Sequence, residues 1–581
     1  MKHFLPALLI ASTVWLVSCG KSVNSDPTAA GGSDLAGFVE KYFNAYYTFN
    51  PSEGTSAGLH EYDKQLEERN VNRIRARIAE LQGEATEIAA IRKMPLKPQD
   101  AIDAELLDNR VQAELLDLDS IRVWRSPLHY AGIAGNSVDL LMKRAFETPV
   151  VRLERVTSRI RMIPALMDAM RDNTLEPPKE HVDLAIKLLH GSASFFRDSV
   201  PVWARSAAGS NNPQALTDFL TVNRKAVAAL EVMARHLEDS VSMMGTGSYA
   251  TGAEKFLQKL KYEEMVDLPL DKLLAIGEQR LAQDHQAFLD VAKQVAPGRS
   301  PKDAMAVLEA NHPTEAGLME FARNTLENVK KFVQEKKIVP VPSELLPKVE
   351  PTPPYARSGG FASMDTPGAF ETTAKEAFYY VTPAEPGWDA AHKTEHLKLF
   401  NRPVMDMITI HEAYPGHYLQ FLYVKQFPTR TRKLTYCSSN VEGWAHYAEQ
   451  MMLEEGFGGG DPKMRLAQLS EALVRDARYV AGIKLHTEGW TVDQATALFE
   501  EKAFMQHANA YEEARRGTYN PTYLYYTLGK MQIYKLREDY KQAKGAAYSL
   551  GKFHEEFVRQ GGIPIRLIRR IMLPGDTGSD L

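Results

Sequence analysis

The sequence predicts a mainly α-helical protein interrupted by one short strand-bearing segment, and three observations predict it. From about Leu35 to Lys337, Leu, Ile, Ala and Met recur at spacings of three and four between charged residues, the period of a helix with one buried face. Between Val339 and Trp388 the chain turns proline-rich, with the pair Gly359-Gly360 and two short strand-like runs. From His392 onward the helical period returns.

Taken in order, the chain opens with Lys2 and His3, then an apolar run from Phe4 to Val17 that is too short for an ordinary membrane span. Leu16-Val17-Ser18-Cys19 fits a lipobox, with Cys19 the acylated residue after cleavage. Residues 1–18 therefore read as a lipoprotein signal peptide; the alternative is a signal peptide without lipid. Gly20 follows, with no Asp there to retain the protein at the inner membrane, so an outer-membrane lipid anchor facing the periplasm is expected. Asp26 to Ser33, rich in Gly, Ala and Ser, completes an expected flexible tether over residues 19–33.

In residues 34–338 the clearest helices are Val71–Ile91, Asp100–Leu118, Val151–Arg171, His181–Phe196, Pro213–Ser240 and Leu270–Val295. Pro and Gly clusters punctuate them, no repeat of fixed period emerges, and their apolar stripes read as core. His129, His181, His190 and His236 are isolated and read as structural or solvated. In residues 339–391 the strand-like runs are Phe361–Met364 and Ala377–Val381. They suit either a surface hairpin or an edge strand on which a substrate backbone adds as a further strand. Residues 392–581 carry every metal-site candidate, and residues 34–581 are expected to form one catalytic unit.

Composition sets bounds. With 581 residues, 44% of them hydrophobic, the chain can bury a large core. Cys437 is the one cysteine besides Cys19, so stability is expected from that core and not from an internal disulfide. The net charge of −5 is mild, and no basic run interleaved with aromatics points to a nucleic acid.

The chemistry concentrates in His411-Glu412-Ala413-Tyr414-Pro415-Gly416-His417. In the regular zinc-peptidase motif, two His four residues apart bind zinc from one helix face and flank a Glu that acts as general base. Here the spacing is six, which leaves His417 about 120° off the face of His411 in an unbroken helix. Pro415 removes a helical hydrogen bond and Gly416 tolerates unusual backbone angles, so a bulge of two residues would return His417 to His411. A helix ending at Pro-Gly with two incidental histidines is the plain alternative. Further on, Cys437-Ser438-Ser439-Asn440 reads as a helix start, followed by Glu442-Gly443-Trp444-Ala445-His446-Tyr447-Ala448-Glu449. Glu442 suits a third ligand, because two neutral imidazoles and one carboxylate leave zinc a strong Lewis acid. Ser439 and Glu442 also fit a capping box. Glu449 shares the face of Glu442 and suits a group that orients a ligand; His446, at i+4, is a reserve ligand.

These two runs resemble a bacterial family known as domain of unknown function 885, whose members carry His-Glu-x-x-Pro-Gly-His followed by Glu-Gly-Trp-Ala-x-Tyr-x-Glu. The likeness extends through Tyr46 to Tyr62 with Pro51, Gly58 and His60, then Arg475, Arg478, His486, Gly489 and Trp490, then Tyr526, Gly529 and Lys530. Gly482 departs from it, standing where an acidic residue is expected. The resemblance implies gluzincin-like metallopeptidases: a large helical zincin-like fold with a small β-containing segment near the active site. It implies Zn2+ held by His411, His417 and Glu442, with Glu412 taking a proton from water and passing it to the leaving amine. For oxyanion stabilisation it offers Tyr526 first and His486 second, though Tyr526 equally reads as a core aromatic. Arg478 suits a substrate carboxylate or an ordinary ion pair. The expected function is zinc-dependent hydrolysis of short peptides in the periplasm. A zinc amidase acting on cell-wall or non-peptide amides remains open, as does a non-catalytic binding protein, against which the intact Glu412 argues.

Overall fold

The computed structural model describes residues 27–241, 247–353, 357, 360–576 and 578–581; the lipobox, Cys19 and Gly359 lie outside them. The helical periods become helices with nearly the expected limits. Val71–Ile91 and Leu270–Val295 coincide with expectation, and the others run Pro98–Leu115, Pro149–Asn173, Lys179–Ser194 and Pro213–His236. Several begin on proline, whose fixed φ suits a first helical position and whose missing N–H is not needed there. Asn70 starts the 71–91 helix by accepting from the Arg73 N–H at 3.0 Å.

The expected tether is corrected over its described part, residues 27–33. A helix runs Pro27–Phe49, so residues 27–33 are helical despite their Gly and Ala content. The cause lies downstream, where Leu35, Phe38, Tyr42 and Phe43 are buried in one cluster with Ile74, Leu81 and Leu107 and extend the helix to its proline start.

Apolar cores cross the limits drawn from composition. The largest runs from Ile102 and Leu106 through Phe288 and Val329, past the strands, to Ile410, Trp444, Leu536 and Ile568. The N-terminal cluster takes in Leu434, just ahead of the Glu442 segment. A further cluster fills the helices between Tyr130 and Leu237.

The proline-rich segment forms a three-stranded sheet of β1 (Lys348–Pro351), β2 (Ala362–Asp365) and β3 (Phe378–Val381), in the order β1-β3-β2. β1 pairs parallel to β3, with Val349 opposite Tyr379, and β2 pairs antiparallel, with Met364 opposite Tyr379. Strand β1 escaped the sequence reading because Pro351 ends it; on an edge strand the missing donor costs little. Tyr379 and Val381 of the central strand are fully buried. The Tyr379 hydroxyl bonds the Thr409 hydroxyl at 3.0 Å, which ties the sheet to the helix that carries His411.

Candidate metal centre

The helix Arg402–Glu412 starts at Asn401, whose side chain accepts from the Val404 N–H at 3.2 Å, and buries Met405, Met407 and Ile410. It stops at Glu412. The expected bulge within one helix is replaced by a break between two. Ala413 leaves helical geometry (φ −111°, ψ −84°), the Tyr414–Pro415 peptide is cis, and a new helix starts at His417 (His417–Leu422). Gly416 closes the break. Its N–H donates to the Ile410 carbonyl at 3.0 Å, and a Cβ there would collide with the carbonyl oxygen of His411. The imidazoles end 4.9 Å apart between centroids, their planes nearly perpendicular.

Glu442 arrives on the helix Ser438–Glu454. The capping-box alternative does not hold: Ser439 lies inside the helix, and its N–H donates at 2.9 Å to Glu264, on the short π-helical turn Leu260–Glu264. Glu442 therefore sits past the first turn, free to face the histidines. The helix lies directly against Tyr525–Lys544, where Gly443 and Gly529 meet backbone to backbone with no room for a side chain on either.

Both histidines turn Nε2 toward one oxygen of Glu442, His411 at 3.4 Å and His417 at 3.5 Å. Ligands about 2.0–2.1 Å from a tetrahedral zinc are separated from each other by about 3.3–3.4 Å. The donor spacing therefore fits a shared cation better than direct hydrogen bonds. Among the described residues, these three form the one group of His, Cys, Asp or Glu side chains whose ligand atoms gather within 4.8 Å. The side chains of His411 and His417 are 9% and 11% exposed and that of Glu442 27%, so solvent reaches the site past Glu442.

The surroundings tune the set. Glu449, fully enclosed, accepts from His411 Nδ1 at 2.7 Å and fixes Nε2 as the free donor atom. Burial works against the Glu449 charge, but His446, Arg475 and the His411 hydrogen bond hold its carboxyl well below the usual range. Burial likewise disfavours charge on Glu442, and the two imidazoles more than reverse it. Burial lowers the His411 imidazole; the Glu442 carboxylate opposite Nε2 and the hydrogen-bonded Glu449 overcome this and push it up to about 10. A cation taking Nε2 must then displace a proton. Zinc affinity is expected to rise about tenfold per pH unit below that value, with one proton released on binding; calorimetry in buffers of different ionisation enthalpy counts it. Glu449→Gln is expected to weaken zinc binding about 10–100-fold, read by competition with a chelator.

Glu412 stays out of the ligand group. Burial and the Glu442 charge raise its carboxyl, opposed by both histidines and by the Met364 N–H of β2. His446, the reserve ligand, is not brought to the site; its Nδ1 bonds Glu449 at 3.2 Å, and burial beside Lys530 pulls it down to about 3.

The oxyanion candidates are placed less simply. His486 is used on both ring nitrogens, by the Gly517 carbonyl at 2.7 Å and the Thr251 N–H at 3.3 Å, and does not join the group of His411, His417 and Glu442. The Tyr526 hydroxyl accepts from Arg516 at 3.3 Å, with the Arg475 and Arg478 guanidinium groups over its ring. Its neighbour Tyr525, missed in the sequence, is the phenol raised in part by the Glu442 charge, after burial and Tyr526. Arg478 pairs with Glu513 through two hydrogen bonds of 2.7 Å, the ordinary ion pair. At Gly482 a side chain would meet the Tyr523 ring at 2.9 Å and the Pro521 carbonyl at 3.0 Å, which leaves no space for a carboxylate.

The family profile described as bacterial protein of unknown function (DUF885) matches residues 51–572. The chain belongs to that family. Two solved structures share its fold. One, from Shewanella oneidensis and assigned as a lipoprotein of unknown function, is 26% identical, with TM-score 0.76 over 93% of this chain and 99% of that one. The other, from Colwellia psychrerythraea and also assigned as a lipoprotein, is 18% identical, with TM-score 0.77 over 93% and 98%. No curated protein matches this DUF885 member.

Proposed function

We propose that this chain is a gluzincin-like zinc peptidase that hydrolyses short peptides. The observation that carries the reading is the spacing of His411 Nε2, His417 Nε2 and the Glu442 oxygen, with the unliganded carboxylate Glu412 beside them. Bound zinc would supply Lewis acidity toward water and a carbonyl oxygen. The chain's own residues do the rest. Glu412, its proton affinity raised by burial, takes a proton from water and returns it to the leaving amine. Strand β2 pairs with β3 on one edge and has its Met364 N–H at Glu412, so its other edge suits an added substrate strand. One of the paired phenols Tyr526 and Tyr525, whose rings lie 4.9 Å apart, would donate to a developing oxyanion.

Metal analysis of the purified protein, joined to a mixed-peptide digestion read by mass spectrometry, tests this. One zinc per chain with peptide cleavage is expected; zinc without cleavage of any peptide sinks the peptidase reading.

We also propose a lipid anchor at Cys19 that holds the chain at the outer membrane, facing the periplasm. The lipobox supports it, as does the assignment of the Shewanella relative as a lipoprotein. Among the described residues no helix is long and apolar enough to cross a membrane. A Cys19→Ala protein freed of its signal peptide is expected to partition into the aqueous phase; persistence in the membrane fraction rules out the lipid as the sole anchor.

A further inference from the structure

A cavity of about 890 Å³ opens between residues 117–129, the turn at 175–178, residues 248–259 and the loop 518–521. Its charge is one-sided. Arg122, Arg125, Lys255 and Lys259 line it, against Asp117 and Glu176. Lys259 is engaged by Asp117 at 2.9 Å and by Glu263. The other three cations have no carboxylate partner among the described residues. Arg122 Nε and Lys255 Nζ donate to the backbone carbonyls of Asp119 and Ser120, at 3.1 and 2.8 Å, and Arg125 lies over the Trp124 ring. They face the lone carboxylate of Glu176 in a chain of net charge −5. Burial disfavours charge on all three histidines of the wall, lowering His181 and pulling His129 down to about 3 and His486 to about 4. Two further features belong to a binding wall. Arg122 and Glu176 are held in left-handed backbone, at φ 60° and 45°, which side-chain-bearing residues seldom adopt. Thr251 presents a buried hydroxyl without a hydrogen-bond partner.

One wall of the cavity leads toward the helices of the metal centre. Asn520 of the 518–521 loop donates to the Tyr525 hydroxyl at 3.0 Å, and Tyr525 opens the helix Tyr525–Lys544 that packs against the helix carrying Glu442.

We propose that this cavity binds carboxylate-bearing peptides and presents them to the metal centre, making acidic peptides the substrate class. Binding stands on the cavity alone; presentation for cleavage rests on the peptidase reading. The guanidinium groups of Arg122 and Arg125 accommodate a carboxylate in paired hydrogen bonds, Lys255 adds a point charge, and the Thr251 hydroxyl is left for the peptide backbone. The carboxylate comes from the peptide's C-terminus or from Glu and Asp side chains.

The test measures binding of fluorescent tetrapeptides to the full-length protein in detergent, on the Glu412→Gln background so that no peptide is consumed. A peptide with two Glu and a free C-terminus is compared with its amidated form, its Gln counterpart and its Lys counterpart. The acidic peptide is expected to bind about tenfold or more tighter than the Lys form. Arg125→Ala combined with Lys255→Ala should remove most of that preference. Loss on amidation assigns the terminal carboxylate, and loss on Glu-to-Gln exchange in the peptide assigns the side chains; either upholds the site. Equal affinity across the series, or a preference untouched in the double variant, overturns it. If the double variant does not fold, parental acidic-peptide affinity decides: it must fall with ionic strength, and salt-independent binding rejects the proposal. Acidic preference in a parent that cleaves nothing keeps the cavity and removes the peptidase; cleavage without the preference does the reverse.

Discussion

Glu412→Gln is expected to keep its bound zinc and a parental fold while losing peptide hydrolysis by at least about 10²–10⁴-fold, the usual worth of a general base. The structure separates Glu412 from the ligands, since the convergent atoms belong to His411, His417 and Glu442. Removing its charge leaves those donors in place. In the proposed mechanism it takes away the group that accepts the proton from water and delivers it to the amine, so both halves of the proton transfer fail together. His411→Ala should behave differently and lose metal and activity at once, because it deletes a donor and orphans the buried carboxylate of Glu449. Metal content therefore distinguishes the two variants before any rate is measured. Parental cleavage by Glu412→Gln would falsify the mechanism.

Gly529→Ala is expected to cost about 1–3 kcal/mol in stability through overpacking, and to weaken zinc binding although it touches no ligand. The added methyl would collide with the Ser439 carbonyl oxygen and crowd Gly443, forcing the helices Ser438–Glu454 and Tyr525–Lys544 apart. Glu442 lies three residues beyond Ser439 and one before Gly443. Any separation moves it relative to histidines held on other helices, and zinc tolerates only about 0.2 Å in ligand distance. Thermal denaturation and chelator competition read the two effects. Unchanged melting temperature and affinity would show that the crossing slides at no cost.

The helices and the histidine motif were legible because their signals are local. A period of three and four residues needs only its own segment, and Pro415-Gly416 marks the break between His411 and His417 by chemistry alone. What remained hidden depends on distant chain. Glu264, which caps the Glu442 helix, lies 175 residues before the N–H it accepts. Tyr525 and Tyr526 are adjacent, about 100° apart on one helix, and no periodicity says which of them would serve an oxyanion. His486 looked available because its two partners, Gly517 and Thr251, come from segments that only folding brings to it. The tether was misread for the opposite reason: its small residues carry no pattern, and the apolar residues after them decide its conformation.

The Glu264 contact also bears on oxidation chemistry. The same carboxylate oxygen that caps Ser439 accepts from the Cys437 thiol at 2.7 Å, and burial together with that negative charge pushes the thiol well above its ordinary value. Attack on disulfides and peroxides requires thiolate, which is suppressed here, and the sulfur is out of reach of solvent. A free thiol in an oxidising compartment is ordinarily a hazard, open to mixed disulfides and to cross-linking between chains. Held as a neutral donor at a helix start, Cys437 is shielded from that chemistry for as long as the helix carrying Glu442 stays folded.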